Sequence, residues 1–335
     1  MYNIYLSISS NYHKPMASEM SGSNTTGQHT TGNISCCVAQ SNITVTTTCK
    51  TISFYELYNK SSQASNATLY VTSNDIWSGR LGNQMFKYAS LLGISRTQGR
   101  RMFIEPGTSL EKTFKISYVA VNESTKLWPV VKQEYFFHDK LMNLPLQNVK
   151  IQGYTQSFWY FAAVMDEIRQ EFTFHDSIAN DAAKIVREVY VKYNSSMIVG
   201  VHVRRGDFLT ERHKRMGYGV AEKSYFMKAF GLMKSKFPGR DIVFLVASDD
   251  LKWCSENLLG DNVSIMPPAS SAVHLAVLSK CEHMIISGGT YGWWSGWLAN
   301  GYVIYYTGYM EKGTPLGNRV NRYHYYPRMW TGLGN

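Results

Sequence analysis

The feature that most limits the fold of this 335-residue chain is a series of short apolar runs in its C-terminal half. Two of them, Met197–Val203 and Ile242–Ala247, are rich in β-branched residues. Such runs are typical of strands that are buried on both faces of a parallel sheet. Further strands are predicted at 284–287 and 302–306, with helical patterns between the strands. Because strands that alternate with helices build βαβ units, the sequence predicts an α/β fold.

The first 74 residues differ in composition from the rest of the chain. They contain 32 Ser, Thr or Asn residues and only five charged residues. A segment of this kind buries too little apolar surface to offset its conformational entropy, so we expect a flexible stem over 1–74. Helices are predicted at Gln84–Ser95, Ala162–Phe172 and Ile178–Tyr193. The region 105–160 is mixed and aromatic in composition, and it does not indicate an order of helices and strands.

The overall charge and the missing motifs exclude several classes of protein. A net charge of +10 favours an anionic partner, but the basic residues are dispersed, which argues against a nucleic-acid-binding surface. Five cysteines are too few for a disulfide scaffold, and no Cys-x-x-Cys pair indicates zinc. The chain has neither a P-loop nor a Gly-x-Gly-x-x-Gly motif, which argues against common kinases, GTPases and NAD enzymes.

The signals for localisation point in two directions. No apolar run reaches the roughly 20 residues that span a membrane, and Met1–Met20 does not resemble a signal peptide. However, eight Asn-x-Ser/Thr sequons are candidates for N-glycosylation in the secretory pathway. Either the sequence lacks its true N-terminus, or the chain stays cytosolic and the sequons are unused. The sequons lie at Asn24, Asn33, Asn42, Asn59, Asn66, Asn122, Asn194 and Asn262.

Polar residues follow the first predicted strand, at the edge where parallel α/β sheets bind ligands. Arg204 and Arg205 come directly after it, followed by Gly206 and Asp207. Paired guanidinium groups match phosphate oxygens, and glycine allows the backbone to approach a ligand. The alternative is a solvated turn in which Asp207 is an ordinary ion-pair partner. Since both arginines lie at a strand end, we expect them to contribute little to stability.

Two further strand ends carry polar residues. Ser248 and Asp249 are explained adequately as the cap of a following helix. The segment 287–292 joins a strand to a helix through two glycines, and its backbone N–H groups would cradle an anion. A tight turn is the alternative. Together the three strand ends predict a phosphorylated nucleotide as ligand. No Asp-x-Asp pair is present to hold a divalent cation, so the arginines would have to neutralise a diphosphate.

A family resemblance rests on these residues and on several others. The segment 202–207, His-Val-Arg-Arg-Gly-Asp, resembles the H-x-R-R-x-D motif of α1,2-, α1,6- and protein O-fucosyltransferases. Further segments resemble the galactoside α1,2-fucosyltransferase branch and follow its order from about 75 to 332. They are Gly79–Met85, Val246–Ser248 leading to Trp253–Asn257, Cys281–His283, Gly289–Gly292 with Trp294, and Trp330–Gly332.

The resemblance implies a GT-B-like enzyme with two facing Rossmann-like domains and a flexible N-terminal stem. An acceptor-side domain is expected over 75–193 and a GDP-fucose-binding domain over 194–335. Enzymes of this family move L-fucose from GDP-β-L-fucose to the 2-hydroxyl of a terminal β-galactose, with inversion and without a metal. They are usually anchored in the Golgi membrane with the catalytic part in the lumen. The resemblance therefore implies membrane association, although no anchor is visible in this sequence.

The resemblance also implies roles for individual residues. Arg204 would hold the diphosphate and stabilise the departing GDP, while His202 and Arg205 shape the pocket and Asp207 positions them. Two residues of the facing domain, Arg80 and Asn83, would approach the donor across the cleft. The remaining predicted donor-binding residues are Ser248, Ser287, Gly289, Thr290 and Tyr291.

Two roles stay open between alternatives. An inverting displacement needs a group to accept the proton of the acceptor hydroxyl, and Asp207 and Glu211 compete for this role. An apolar platform for galactose is predicted at Trp293, Trp294 and Trp297, with core packing of a buried helix as the alternative.

Two other functions compete with this reading. A core α1,6- or protein O-fucosyltransferase shares the arginine motif, but the Gly-Thr-Tyr-Gly-x-Trp and Trp-Thr-Gly segments disfavour it. A non-catalytic secreted protein that binds glycans or integrins is the alternative from another class, because 205–207 is an Arg-Gly-Asp tripeptide. Transfer of fucose to free lactose is expected only of the α1,2-enzyme.

Overall fold

Two parallel β-sheets with flanking helices form the part of the chain that this computed structural model describes. The described residues are 68–76, 78–104, 107–117, 125–133, 136–194 and 197–335. The strands are β1 (Tyr70–Ser73), β2 (Arg101–Met102), β3 (Val130–Lys132), β4 (Val149–Gln152), β5 (Met197–Val203), β6 (Ile242–Ser248), β7 (Val263–Ile265), β8 (His283–Ile286), β9 (Val303–Tyr306) and β10 (Thr331–Leu333). The α-helices are α1 (Leu81–Thr97), α2 (Ser109–Thr113), α3 (Met165–Glu171), α4 (Asp176–Tyr193), α5 (Glu211–Met216), α6 (Lys223–Lys236), α7 (Leu251–Asn257), α8 (Ser271–Lys280), α9 (Gly289–Ala299) and α10 (Arg322–Tyr325).

The C-terminal half contains a six-stranded sheet in the order β10-β9-β8-β5-β6-β7, and every pairing in it is parallel. Strand β5 is central, and all seven of its residues are buried. The chain runs outward from β5 to β7 on one side, then returns to β8 on the other side. The topological switch point therefore lies between β5 and β8, and a ligand crevice is expected outside their carboxyl ends.

The N-terminal half contains a four-stranded parallel sheet in the order β2-β1-β4-β3. Strand β1 pairs with both β2 and β4, so residues 70–73 belong to the folded part of the chain. The stem predicted over 1–74 is therefore too long at its C-terminal end. Four residues in a Ser/Thr-rich context show too little alternation to indicate a strand. The stem up to residue 67 lies outside the described residues.

Helices α1 and α9 join the two halves of the structure. Fourteen of the 17 residues of α1 are buried. A Cβ on Gly82 would lie 2.7 Å from the backbone nitrogen of Tyr291, so the first turns of the two helices approach closely through a glycine. Further along, the Phe86 ring packs 4.6 Å from that of Trp293 and 5.1 Å from that of Trp294. Aromatic burial of this kind is a major stabilising contribution.

The predicted α/β fold with parallel sheets is confirmed. Strand β5 has the predicted bounds, and helix α1 extends the predicted helix at both ends. The helix predicted at Ala162–Phe172 begins with a single 3-10 turn, Ala162–Val164, before α3. Among the described residues, no helix combines the length and apolar character needed to cross a bilayer.

Candidate active site

Arg204 is the first residue after β5 and lies at the switch point. Its backbone N–H donates to Oγ of Ser287, which directly follows β8, at 2.7 Å. Its guanidinium group donates to Oδ2 of Asp249 at 2.5 Å and to Asp207. The side chain remains 18% exposed. Two carboxylates therefore fix the plane of the guanidinium group while part of it remains accessible to a ligand.

Asp207 connects the arginines of the two halves. Its Oδ2 accepts from Nη2 of Arg80 at 3.1 Å, and its other oxygen binds Arg204. Arg80 directly precedes α1, and its side chain is 76% exposed. The structure thus brings together Arg80, Arg204 and Asp207. Because both oxygens of Asp207 contact guanidinium groups, the geometry suits a carboxylate that positions arginines.

The N-termini of α1 and α9 converge beside this cluster. Neither helix has a side-chain cap or an acidic residue in its first turn. Thr290 of α9 donates to Oδ1 of Asn83 of α1 at 2.8 Å, and Gln156 donates to the same oxygen at 3.1 Å. The start of α9 needs glycine, since Gly288, directly before the helix, has a φ of +144° and Gly289, its first residue, has a φ of +77°. Two uncapped helix N-termini form a favourable site for an anion.

Arg205 lies behind the site and is only 7% exposed. Its backbone N–H donates to Oδ1 of Asp249 at 2.9 Å, and its guanidinium group stacks on Trp253 at 4.0 Å. Nη1 donates to the carbonyl oxygen of Ala221 at 3.2 Å, and Nε lies 3.4 Å from Oδ2 of Asp250. The burial of Arg205 contradicts the premise behind the expectation that both strand-end arginines contribute little to stability. Its side chain is part of the packed interior.

His202, the penultimate residue of β5, is buried beneath α9. Burial, together with the charge of Arg204, lowers the pKa of His202 to about 3. Its Nδ1 has no hydrogen-bond partner among the described residues, and a Cβ on Gly292 would lie 2.5 Å from that atom. The ring lies 5.4 Å from that of Tyr291, whose hydroxyl donates to the carbonyl of Ser271 at 2.5 Å. His202 is therefore neutral and packed at neutral pH.

Two of the predicted residues have local partners. Glu211 is the first residue of α5, is 77% exposed, and pairs with Lys214 of the same helix at 3.0 Å. Oγ of Ser248 accepts from the backbone N–H of Asp250 at 2.9 Å and stabilises the turn into α7. Neither of these contacts involves the Arg80–Asp207–Arg204 cluster.

The structure contradicts the acceptor platform predicted at the three tryptophans. Trp293 and Trp294 are 0% exposed and Trp297 is 5% exposed. Trp294 stacks on Phe161 at 5.6 Å, and Trp297 lies 4.0 Å from the guanidinium group of Arg169. Rings without an exposed face cannot stack on a sugar, so α9 supplies core packing.

Asp249 is the residue of the site that sequence reasoning missed. Asp250 caps α7, because its Oδ1 accepts from the backbone N–H of Trp253 at 3.1 Å. Asp249 therefore bonds to the arginines instead. Strands β5 and β6 are adjacent, and Val203 lies opposite Ser248. The residues that directly follow them, Arg204 and Asp249, are therefore side by side. The strand adjacency, which periodicity does not reveal, is the signal that identifies Asp249.

Three comparisons with known proteins indicate what this chain is similar to. Residues 38–333 match the family model of glycosyl transferase family 11. Galactoside alpha-(1,2)-fucosyltransferase 2 of Pongo pygmaeus is 32% identical over 271 residues, which cover 76% of this chain and 77% of that protein. The protein of the same name from Mus musculus is 34% identical over 71% of each chain. Among solved structures, a complex of Arabidopsis thaliana FUT1 with GDP has a TM-score of 0.47 at 12% identity, covering 74% of this chain and 73% of that chain. The chain belongs to glycosyl transferase family 11.

Proposed function

We propose that this glycosyltransferase moves L-fucose from GDP-β-L-fucose to the 2-hydroxyl of a terminal β-galactose. The observation that carries the proposal is the position of Arg204 at the switch point, beside two uncapped helix N-termini. This is a site for a nucleoside diphosphate. The fucose and the galactoside acceptor are supported by the relatives, which are named galactoside 2-alpha-L-fucosyltransferases.

The charges around Arg204 indicate how the donor would be held. Three arginines and four carboxylates form the cluster, so its formal net charge is −1: Arg80, Arg204, Arg205, Asp207, Glu222, Asp249 and Asp250. The net attraction for a diphosphate would therefore come from the N-termini of α1 and α9. The aspartates fix the arginine planes in advance, so that little reorganisation accompanies the growth of charge on the departing GDP.

The acceptor hydroxyl must lose a proton during the displacement. We propose that Asp207 positions the arginines, because it already binds two of them, and that the exposed Glu211 is the candidate proton acceptor. Glu211→Gln then lowers kcat at least about 10²-fold with little change in the KM for GDP-fucose. An unchanged kcat would assign proton acceptance to another group.

We further propose that the reaction needs no metal and that the enzyme acts in the Golgi lumen in association with the membrane. The N-termini of α1 and α9 supply the positive potential that a divalent ion would otherwise provide, and the arginines supply hydrogen-bond donors for phosphate oxygens. Transfer is then expected to persist in excess EDTA. Activity that is lost in EDTA and restored by Mn²⁺ would contradict the metal-free mechanism.

The proposal that the enzyme acts in the Golgi lumen is supported by the eight sequons, which indicate a secretory route.

The direct test incubates the enzyme with GDP-fucose and a panel of acceptors. Lactose should gain one fucose on the galactose 2-hydroxyl, whereas 2-deoxygalactosyl-glucose, which lacks that hydroxyl, should gain none. An N-glycan core and a folded acceptor peptide test the α1,6- and protein O-fucosyltransferase alternatives. If the protein only binds glycans or integrins, none of the acceptors will gain mass and GDP will not raise the melting temperature.

A further inference from the structure

A groove of about 290 Å³ lies at the edge of the six-stranded sheet, between α6 and the start of β7. Its lining includes the apolar side chains of Met227, Phe230, Phe244, Leu258 and Leu259. Leu259 is 66% exposed and Met227 is 40% exposed. None of the groove's lining residues belongs to the arginine cluster. The structure therefore leaves an apolar surface uncovered at a place that the proposed transfer reaction does not use.

Asn262 also lines this groove and begins the sequon Asn262-Val263-Ser264. The residue is exposed, and its backbone is held in place on both sides. Its carbonyl accepts from the N–H of Phe244 at 2.8 Å, and the N–H of Val263 donates to the carbonyl of Gly260 at 3.0 Å. A group attached to the side-chain amide would therefore be anchored at the rim of the groove.

Asn194 is the only other sequon asparagine among the described residues, and it offers a comparison. It is exposed at the C-terminus of α4 with a left-handed φ of 44°, and it is not part of the groove lining. The remaining six lie outside the described residues: Asn24, Asn33, Asn42, Asn59, Asn66 and Asn122. Of the two sequons that the structure describes, Asn262 alone combines exposure with an adjacent apolar groove.

We propose that Asn262 carries an N-linked glycan whose first N-acetylglucosamine packs on Leu259 and Met227. The amide nitrogen attacks the anomeric carbon of a lipid-linked oligosaccharide, supplied with its transferase by the secretory pathway. A C–N bond forms, the C–O bond to the lipid diphosphate breaks, and the amide proton is released as the lipid diphosphate departs. The inference rests on the lumenal part of the proposed function.

The chemistry of a pyranose suits this groove. One face of the ring presents C–H groups that can cover the exposed apolar carbons, and removing such surface from water is favourable. Lys234 and Asp261, which also line the groove, offer a donor and an acceptor to the hydroxyl and N-acetyl groups. The volume of the groove lies just below the range of about 300–1,000 Å³ for drug-sized ligands, so it suits one sugar ring. The glycan would also shield β7, an edge strand.

The test compares the protein from a glycosylating eukaryotic host with the protein from a bacterial host. Mass mapping after enzymatic deglycosylation in heavy-oxygen water measures the occupancy of each sequon. Asn262→Gln and Ser264→Ala remove this sequon at its asparagine and at its serine. The matched control is Ser196→Ala, which removes the other sequon and keeps Asn194 at its left-handed position. In the eukaryotic protein, both groove variants should melt about 2–4 °C below the parent and bind more of an apolar dye. In the bacterial protein, the same variants should match their parent.

The outcomes separate this inference from the lumenal proposal. If other sequons are occupied but Asn262 is not, the inference is overturned and the lumenal proposal stands. If no sequon is occupied, both are overturned. If Asn262 is occupied but its removal changes neither melting nor dye binding relative to Ser196→Ala, packing in the groove is overturned. Occupancy of the groove by a second copy of the chain, seen as a dimer in the parent, would also overturn it.

Discussion

Oδ2 of Asp207 lies 3.1 Å from Nη2 of Arg80, although 127 residues separate them in the chain. The other oxygen of the same carboxylate binds Arg204. A single side chain thus links an arginine after β5 to an arginine before α1. The arrangement at the donor site therefore depends on both sheets, and variants on either side are expected to affect donor binding.

The first prediction concerns Arg204. Arg204→Ala removes charge-assisted hydrogen bonds to the departing GDP, and transfer should fall about 10²–10³-fold. Arg204→Lys keeps the charge but loses the planar group that Asp207 and Asp249 hold, so it should restore little activity. Melting with and without saturating GDP provides the control. Parent and variant should melt at similar temperatures, and only the parent should gain stability from GDP. A variant with near-normal transfer would place the donor site elsewhere.

The second prediction concerns Arg205, whose side chain is buried. Arg205→Ala removes the ion-pair partner of Oδ2 of Asp250 and the side-chain donor to the carbonyl of Ala221, and it exposes Trp253. It should therefore lower the free energy of unfolding by about 1–3 kcal/mol. Urea unfolding measures the loss, and Arg204→Ala is the comparison. Equal stability of the two variants would contradict the different roles of these neighbours.

The third prediction concerns Gly206, which leaves room for the carboxylate of Asp249 because it has no side chain. A Cβ on Gly206 would lie 2.2 Å from Oδ2 of Asp249, the atom that accepts from Arg204. Gly206→Ala should displace Asp249 and weaken GDP binding about 10–100-fold, the cost of one charge-assisted hydrogen bond. Gly231→Ala is the matched control, since nothing lies within 4 Å of its Cβ position in α6. It should leave GDP binding unchanged and increase stability by about 0.5–1 kcal/mol. Titration of GDP by calorimetry distinguishes the two variants.

The fourth prediction concerns the pH dependence of stability. The pKa of His202 is about 3 in the folded protein and about 6.5 in an unfolded chain. Between these values the unfolded state binds a proton that the folded state does not, so the free energy of unfolding decreases as the pH falls. From about pH 6 to pH 5, the parent should lose about 1 kcal/mol more than His202→Gln. Urea unfolding measures this loss. If the parent and His202→Gln lose the same free energy of unfolding over this pH range, the pKa of His202 is not lowered in the folded protein.

The local sequence was sufficient to predict those features of the fold that depend only on residues close together in the chain. The strand Met197–Val203 was predictable because seven consecutive buried residues in a parallel strand need an apolar run. The position of Arg204 followed, since a residue directly after such a strand lies at the ligand-binding edge. Strand β1 was not predictable, because four residues among many Ser and Thr residues carry no periodic signal.

The sequence by itself determined the α/β class, the central strands of the larger sheet and the edge at which the arginines lie. Apolar runs and turn residues encode these features within a few residues of each other. Only the tertiary structure decided that Asp249 binds Arg204, that Arg205 is buried on Trp253, and that the tryptophans of α9 are in the core. Burial and ion pairing depend on contacts between segments that are distant in the chain, and no local pattern specifies which segments meet.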